Sequence, residues 1–542
     1  MRNAETAEIL ASLAGRFTVP FHPSATFHVH YETGSRTSDT RQVTPGNRLA
    51  GGRLFSGVLW NALGRGLPLI VALLLTPWLL HLMGVERWGL FTLALALVGV
   101  LGVLDLGVGP ALTRTLSERM ATDTPAEQAA LVRAGLSALG LVSVAGAAAL
   151  FMALPLLVER VLNVPPPLQA EALAAMRVLA CAIPLVVLNA ALWGVLAAHQ
   201  RFAAANLVTV PVNLFYYLGP VLALLVWDSL VGVMLALLAC RLVNTLSYIW
   251  LVRRDVPGLW SGWPRLGLAA PLLRLGGWIT AASLLGQALL YADRFLIGAL
   301  LTLSAVAYYA TPLDLVLRMW ILPVAVSQAL LPAMASGFAK LPVETAGLLR
   351  RGGLLILLGV FPACAVLVAA PHEVLRLWLG AGFADGGAPV LRILAIGILF
   401  SCLAYAPNAL LEAIGRPDVT ARFVLGQAVV FLPLSALCLW LGGIEGAAIA
   451  WALRVAADAW GKLFFAARLY PPASVAARGL MAPMLAAGAV LLALAVAPGW
   501  PAKAVALVLG GALLAGLLWR ALLPAERHAL RHPRQWRQLI RA

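Results

Sequence analysis

Charged residues are scarce in this chain of 542 residues: Asp, Glu, Lys and Arg together make up only 11% of it. Hydrophobic residues make up 61%, and a single soluble core cannot bury that much apolar surface. The apolar residues form about fourteen segments of roughly 20 residues or more, the length that crosses the hydrocarbon layer of a bilayer. The sequence therefore excludes a soluble protein and predicts an all-α polytopic membrane protein.

The predicted spans cover residues 54–80, 88–113, 134–158, 172–198, 206–226, 229–252, 272–298, 304–336, 348–370, 388–412, 420–441, 444–467, 476–497 and 502–522. The least certain divisions are the connection Trp227-Asp228 and the turn around Leu300–Leu303. Both contain turn-compatible residues.

Cysteine is rare, and the five cysteines stand singly within spans, without the spacing of metal ligands or of a disulfide framework. The chain also lacks a P-loop and paired Cys/His ligands. The longest predicted exterior loop, 371–387, is too short to enclose the active site of a membrane-embedded polymerase or glycosyltransferase. These absences predict a protein that is not an enzyme, binds no cofactor or metal, and uses an ion gradient, the membrane potential or substrate supply rather than ATP.

Lysine is nearly absent, and basic residues outnumber acidic ones by 39 to 23. When residues in the first or last four positions of a span are counted with the adjoining side, 27 basic residues fall on the side of the N-terminus, 4 on the opposite side and 8 within spans. This asymmetry is the positive-inside pattern of an even number of spans with both termini in the cytoplasm. The formal charge of +16 is thus explained by loops beside an anionic leaflet, and nucleic acid is not expected as a partner.

The predicted spans and the distribution of charge divide the chain into six parts. We expect a disordered cytoplasmic tail at 1–52, a six-helix bundle at 53–253, a cytoplasmic linker at 254–270, a second six-helix bundle at 271–470, helices 13 and 14 at 471–524, and a basic cytoplasmic tail at 525–542. The tail at 1–52 has no apolar core of a signal peptide.

The two bundles repeat weakly. The first span leads through Leu82-Met83-Gly84 into Trp88-Gly89-Leu90-Phe91, and the seventh leads through Ile297-Gly298 into Ala307-Tyr308-Tyr309-Ala310. Both halves then run in the same direction. A parallel repeat about an axis along the membrane normal is common in transporters whose site lies between the halves.

These stretches resemble the polysaccharide flippases, the O-antigen and exopolysaccharide branch of the multidrug/oligosaccharidyl-lipid/polysaccharide exporter superfamily. The resemblance spans about residues 53–470 and lies in scattered glycines and polar residues. The stretches that carry it are 82–89, Leu104-Asp105-Leu106-Gly107-Val108-Gly109, Ala292-Asp293-Arg294-Phe295-Leu296-Ile297-Gly298, 408–416 (Asn408 to Arg416) and Gly442-Gly443-Ile444-Glu445-Gly446-Ala447-Ala448.

The resemblance implies two six-helix bundles around a central cavity that opens alternately to each side. It implies a flippase that moves undecaprenyl-pyrophosphate-linked sugar to the periplasmic leaflet of a bacterial inner membrane, for polysaccharide biosynthesis. A polysaccharide polymerase and other membrane proteins of such a pathway are the expected partners, beside membrane lipids. A lipid II flippase, which also suits fourteen spans, and a multidrug/cation antiporter stay open as alternatives.

Ionisable side chains within a bilayer are costly and mark candidate sites. The spans hold eight basic residues, at 65, 177, 241, 294, 318, 392, 454 and 462, and four acidic ones, at 105, 293, 314 and 458. This excess of positive charge favours an anion such as pyrophosphate. The predicted substrate-binding residues are Arg65, Arg241, Arg318, Arg454, Arg294, Asn61 and Asn244, and the predicted ion-coupling residues are Asp105, Asp293 and Asp314.

A structural role is the alternative for each of these residues. Asp314 and Arg318 are four apart on one helix, as are Arg454, Asp458 and Lys462, so either set can pair locally. Arg177 and Arg392 lie near outer helix ends and can extend to the interface. Asp105 can pair with Arg65 or Arg241. Amides in the spans, including Gln427, can line a sugar path or bond between helices.

Overall fold

The computed structural model describes residues 48–105, 107–120 and 122–521; the side chains of 48–69, 103, 105, 272–285 and 288 are outside that description. Both terminal tails therefore lie largely outside the described residues. Within them the chain is helical and contains no β-strand, as the sequence predicts.

The helices are α1 (Arg48–Leu101), α2 (Val108–Arg119), α3 (Pro125–Leu156), α4 (Pro166–Ala180), α5 (Ile183–Ala198), α6 (Phe202–Val226), α7 (Leu230–Asp255), α8 (Ala270–Leu300), α9 (Leu303–Leu317), α10 (Ile321–Gly337), α11 (Pro342–Ala369), α12 (Pro371–Leu379), α13 (Ala381–Leu403), α14 (Tyr405–Ala413), α15 (Pro417–Leu469), α16 (Ser474–Val496) and α17 (Gly499–Ala521).

Glycine turns divide the two longest helices. Gly84 interrupts α1 with a φ of 74°, and Gly443 interrupts α15 with a φ of 56°. Residues with a side chain rarely adopt such positive φ angles, so glycine is the residue that allows these turns. Both lie where the sequence predicts one span to end and the next to begin.

Eleven helical stretches in the described part of the chain are long and apolar enough to cross a membrane. Two of them, Ile70–Leu101 and Pro417–Leu469, contain the glycine turns. The chain is thus a multi-pass membrane protein, whereas the total of fourteen spans and the side of the termini stay predictions.

Several helices begin earlier than hydropathy predicts, because their first turns are polar. α3 starts at Pro125 rather than 134, with a capping box in which Thr124 and Glu127 exchange hydrogen bonds. Residues 371–387, predicted to form an exterior loop, are helical, and their exterior position stays a prediction. Those residues form α12 and the start of α13, joined by Gly380 with a φ of 92°.

The helices pack as two bundles. In the first bundle α5 packs against α2, α3 and α7, and α7 also packs against α4 and α6. In the second bundle α13 packs against α9, α11 and α15, while α15 also contacts α8 and α14. Outside the second bundle, α16 lies on α11 and α17 lies on α16. Between the bundles, α2 contacts α8.

Further contacts close the two bundles together on the side predicted to be exterior. Trp88 donates a hydrogen bond from Nε1 to Oγ1 of Thr311 at 2.7 Å. Asn163 donates from Nδ2 to the carbonyls of Ala299 and Leu301, at 3.0 and 2.9 Å. Because these donors and acceptors belong to different bundles, the bonds must break if the bundles separate here.

Candidate functional site

A cavity lies between the two bundles, and we call it the interface cavity. Its volume is about 110 Å³, below the about 300–1,000 Å³ of typical small-molecule sites. It is lined by α1, α6, α8, α9 and α12, and by the turn after α9. Trp378 of α12 helps to close it, donating a hydrogen bond from Nε1 to the carbonyl of Leu73 at 2.7 Å.

Two predicted arginines line the interface cavity. Arg294 is 4% exposed and forms an ion pair with Asp314, whose side chain is 45% exposed. Arg318 has a longer contact, 3.5 Å from Nη2 to the hydroxyl of Tyr217. Since Asp314 pairs with Arg294 across α8 and α9, the guanidinium of Arg318 remains available to a ligand in the cavity.

Arg241 reaches the same region through aromatic rings. Its guanidinium carbon lies 5.1 Å from the ring centroid of Tyr216, which lines the cavity. Arg294 lies similarly over Tyr291, at 5.3 Å. Such cation–π contacts hold each guanidinium without neutralising it. Of the predicted substrate-binding residues, Arg294 and Arg318 thus line the cavity, and Arg241 contacts a ring that lines it.

The helix that follows α8 is interrupted at Arg318. Residues Arg318–Trp320 form a 3₁₀ turn between α9 and α10, with Pro312 before it and Pro323 after it. Proline lacks the backbone N–H that continues a helix, which favours such a break. Arg318 lines the interface cavity, whereas Trp320 lines a second one.

This second-bundle cavity has a volume of about 320 Å³ and is lined by α8, α13, α14, α15 and Trp320. Three charged residues of α15 face it: Arg454, Asp458 and Lys462. Asp458 accepts hydrogen bonds from Nζ of Lys462 at 2.8 Å and from Nε2 of Gln427 at 3.0 Å. The local pairing that the spacing allows is thus present for Asp458 and Lys462.

Asp293 is buried within the second bundle and turns away from its neighbour Arg294. It is 6% exposed and accepts hydrogen bonds from the hydroxyls of Ser435, at 2.7 Å, and Tyr309, at 2.9 Å. Arg454 lines the same small space and interacts with it electrostatically. Asp293 is therefore an interior carboxylate with hydroxyl and cationic neighbours.

Among the described residues, Asn244 and Arg177 do not join these cavities. Asn244 is 8% exposed inside the first bundle, lines neither cavity, and its Oδ1 has no hydrogen-bond partner within the described residues. The side chains of Arg65, Asn61 and Asp105 lie outside the described residues. Arg177 stacks on Phe151 at 5.0 Å and lines neither cavity.

Sequence reasoning missed aromatic residues that line the cavities, among them Tyr216, Tyr217, Trp320 and Tyr405, and it missed Tyr291, on which Arg294 stacks. A signal for them exists, because a tyrosine deep in a span must find a partner for its hydroxyl. No group of three or more His, Cys, Asp or Glu residues suited to a metal ion occurs in the described part of the chain.

Comparison with known sequences gives two matches. Residues 54–338 match the family described as polysaccharide biosynthesis protein. A protein of Shigella flexneri, provisionally named an O-antigen transporter, is 27% identical over 406 residues, covering 74% of this chain and 94% of that protein.

Solved structures share the fold. The lipid II flippase MurJ in an inward closed conformation has a TM-score of 0.68 at 12% identity, covering 85% of this chain and 98% of that one. A multidrug resistance MATE family transporter of the MOP superfamily, in an inward-facing conformation, has a TM-score of 0.63 at 16% identity, covering 75% and 96%. The fold is therefore that of transporters of this superfamily.

Proposed function

Because the chain belongs to the polysaccharide biosynthesis protein family, we propose that it is a flippase for a lipid-linked polysaccharide precursor. The carried molecule is an oligosaccharide on undecaprenyl pyrophosphate, and it moves from the cytoplasmic to the periplasmic leaflet of a bacterial inner membrane. The observation that carries this proposal is that Arg294 and Arg318 line the interface cavity and that Arg241 stacks on Tyr216 in its wall.

A pyrophosphate headgroup must cross the apolar layer with its charge compensated. Guanidinium groups match phosphate oxygens in geometry and remain charged at any physiological pH. The ion pair with Asp314 and the stacking on Tyr216 and Tyr291 hold two of these groups in place. Arg318 then supplies the charge that is free to bind the headgroup.

The same cavity argues against the cation antiporter. An organic cation needs unpaired acidic groups, but the carboxylate here, Asp314, already pairs with Arg294. The lipid II flippase remains the second candidate, because α16 and α17 extend the chain beyond the second bundle in a fold shared with MurJ.

Alternating access is the mechanism that we propose. The interface cavity is closed on the predicted exterior side by Trp88, Asn163 and Trp378, so a large headgroup can leave there only when the bundles move apart. Asp293 is the proposed ion-coupling residue among the described carboxylates, since its hydroxyl ligands allow it to gain or lose a proton within the second bundle.

Translocation in proteoliposomes tests the function. We expect the wild type to move undecaprenyl-pyrophosphate-linked oligosaccharide across the bilayer, and Arg318→Ala and Arg241→Ala to lower the rate at least about tenfold, since a charge-assisted hydrogen bond is worth about 1.5–3 kcal/mol. Arg177→Ala is the matched control and should retain the wild-type rate. Lipid II supplied in parallel distinguishes the two flippases. Unchanged rates in both arginine variants would refute the headgroup site.

A further inference from the structure

The second-bundle cavity has a lining that differs from that of the interface cavity. Its surface combines two aromatic rings, Trp320 and Tyr405, with the amides of Asn408 and Gln427 and the hydroxyl of Ser401. Aromatic faces beside amide and hydroxyl groups are what a sugar requires, because a pyranose ring has C–H faces and a rim of hydroxyls. At about 320 Å³ the cavity falls within the range of small-molecule sites, about 300–1,000 Å³.

The aromatic pair is held rigidly. Trp320 donates a hydrogen bond from Nε1 to Oγ of Ser401 at 3.0 Å, and its ring centroid lies 6.4 Å from that of Tyr405 at an angle of 61°. With the indole N–H already satisfied, the ring needs no further polar partner and can offer its face to a ligand.

Arg454 has an acidic neighbour, Asp293, with which it interacts electrostatically, but its guanidinium N–H groups have no hydrogen-bond acceptor among the described residues. Lys462 and Gln427 both bond to Asp458, so that carboxylate is neutralised and its oxygens are occupied. Arg454 lines the cavity and makes no hydrogen bond or ion pair with any described residue. Its acidic neighbour Asp293 already accepts two hydroxyl donors. The guanidinium of Arg454 can therefore form a charge-assisted bond to a ligand oxyanion.

The position of the cavity connects it to the headgroup site. Arg318, at one end of the 3₁₀ turn, lines the interface cavity, and Trp320, at the other end, lines the second-bundle cavity. Because these two residues are only two positions apart, a headgroup bound at Arg318 lies close to a sugar bound at Trp320. A single lipid-linked saccharide can then contact both cavities, with its pyrophosphate at one and its sugars at the other.

We propose that the second-bundle cavity binds the saccharide of the carried lipid, and that Arg454 recognises an acidic group on it, a carboxylate or a phosphate substituent. This inference rests on the proposed flippase function. In this arrangement Trp320 and Tyr405 stack on the sugar rings, and Arg454 distinguishes acidic from neutral saccharides. The interface cavity then binds only the pyrophosphate.

Three lipids test the assignment: undecaprenyl pyrophosphate without sugar, the same lipid with a neutral hexose disaccharide, and the same lipid with a disaccharide ending in glucuronic acid. Binding is measured by the shift in thermal unfolding of purified protein, and translocation is measured in proteoliposomes. Arg454→Gln should weaken binding of the acidic lipid about tenfold and leave the other two unchanged. Trp320→Leu should weaken both glycosylated lipids and spare the sugar-free one.

Two variants keep the test independent of folding. Trp320→Phe retains an aromatic face while losing the bond to Ser401, so it should bind the glycosylated lipids better than Trp320→Leu. Arg177→Gln removes a span arginine that lines neither cavity and should bind all three lipids as the wild type does.

The outcomes separate the two proposals. If Arg454→Gln weakens all three lipids equally, the residue binds pyrophosphate, and the saccharide assignment is overturned while the flippase function stands. If Trp320→Leu has no effect on the glycosylated lipids, the sugar-stacking role is overturned. If the wild type binds and moves none of the lipids, the proposed function itself fails.

Discussion

At the scale of single residues, Gly89 shows how closely the two bundles approach. A Cβ at this position would lie 1.9 Å from the carbonyl oxygen of Leu303, a distance that no side chain can occupy. The contact joins the start of the second predicted span to the start of α9. Any larger residue must push these helices apart on the predicted exterior side.

We therefore predict that Gly89→Ala disfavours the closed state and lowers translocation at least about tenfold, a shift of about 1.4 kcal/mol or more in the conformational equilibrium. The control is Gly140→Ala, because a Cβ at Gly140 would meet nothing within 4 Å. Both variants should reach the membrane in similar amounts. Equal transport by the two would show that the close contact is not required.

Neighbouring residues can also have opposite surroundings. Asp293 bonds to Ser435 and Tyr309 inside the second bundle, whereas Arg294 pairs with Asp314 at the interface cavity. Consecutive residues on a helix point about 100° apart, so the two charges need not neutralise each other. The helical spacing predicts this divergence, but the partners on either side come from other helices.

At the scale of elements, the start of α7 depends on a carboxylate from another helix. Glu171 of α4 accepts hydrogen bonds from the backbone N–H of Leu230, at 2.7 Å, and from the hydroxyl of Ser229, at 3.2 Å. It also pairs with Arg87 at 3.0 Å. One side chain thus satisfies a free N–H at a helix start and joins α1, α4 and α7.

We predict that Glu171→Ala lowers the free energy of unfolding by about 1–3 kcal/mol, because it leaves the backbone N–H of Leu230 without its acceptor and removes one of the two carboxylates that pair with Arg87. Thermal unfolding in detergent measures the loss. Glu159→Ala is the control, since Glu159 is exposed and makes no bond within the described residues. If both variants unfold at the same temperature as the wild type, the carboxylate contributes nothing to stability.

At the scale of the whole molecule, side-chain contacts join the two bundles on the predicted exterior side. Asn163 lies in the connection between α3 and α4, and its side chain bonds to the end of α8 at Ala299 and to Leu301. Its backbone N–H also donates to the carbonyl of Gly298 at 2.9 Å. This segment therefore fastens the first bundle to the second.

We predict that a disulfide between cysteines at 163 and 301 abolishes translocation, since it prevents the bundles from separating. The five native cysteines are first replaced by alanine, and reduction should restore the rate. As a control, cysteines at 201 and 255 replace a salt bridge within the first bundle, and their disulfide should leave transport intact. Full activity with the 163–301 bond formed would contradict alternating access at this side.

The sequence by itself determined that the protein spans a membrane, where its helices lie and where they turn. Hydropathy over about 20 residues and the left-handed angles that Gly84 and Gly443 adopt are local properties, so they can be read from neighbouring residues. The excess of arginine in the spans also indicated an anionic ligand. Hydropathy did not predict the helix starts at polar first turns, the short α12, or the breaks that divide the predicted spans 172–198, 304–336 and 388–412 into two helices each.

Only the tertiary structure decided which charges remain available. Arg294 meets Asp314, Asp458 is shared by Lys462 and Gln427, and Arg318 and Arg454 face two separate cavities. Composition cannot reveal which charges are paired. Some pairs join side chains of different helices, and in others a residue bonds to only one of several neighbours on its own helix. The aromatic partners were likewise invisible in the sequence, since a ring becomes part of a site only when another bundle or helix brings a charge or a cavity to its face.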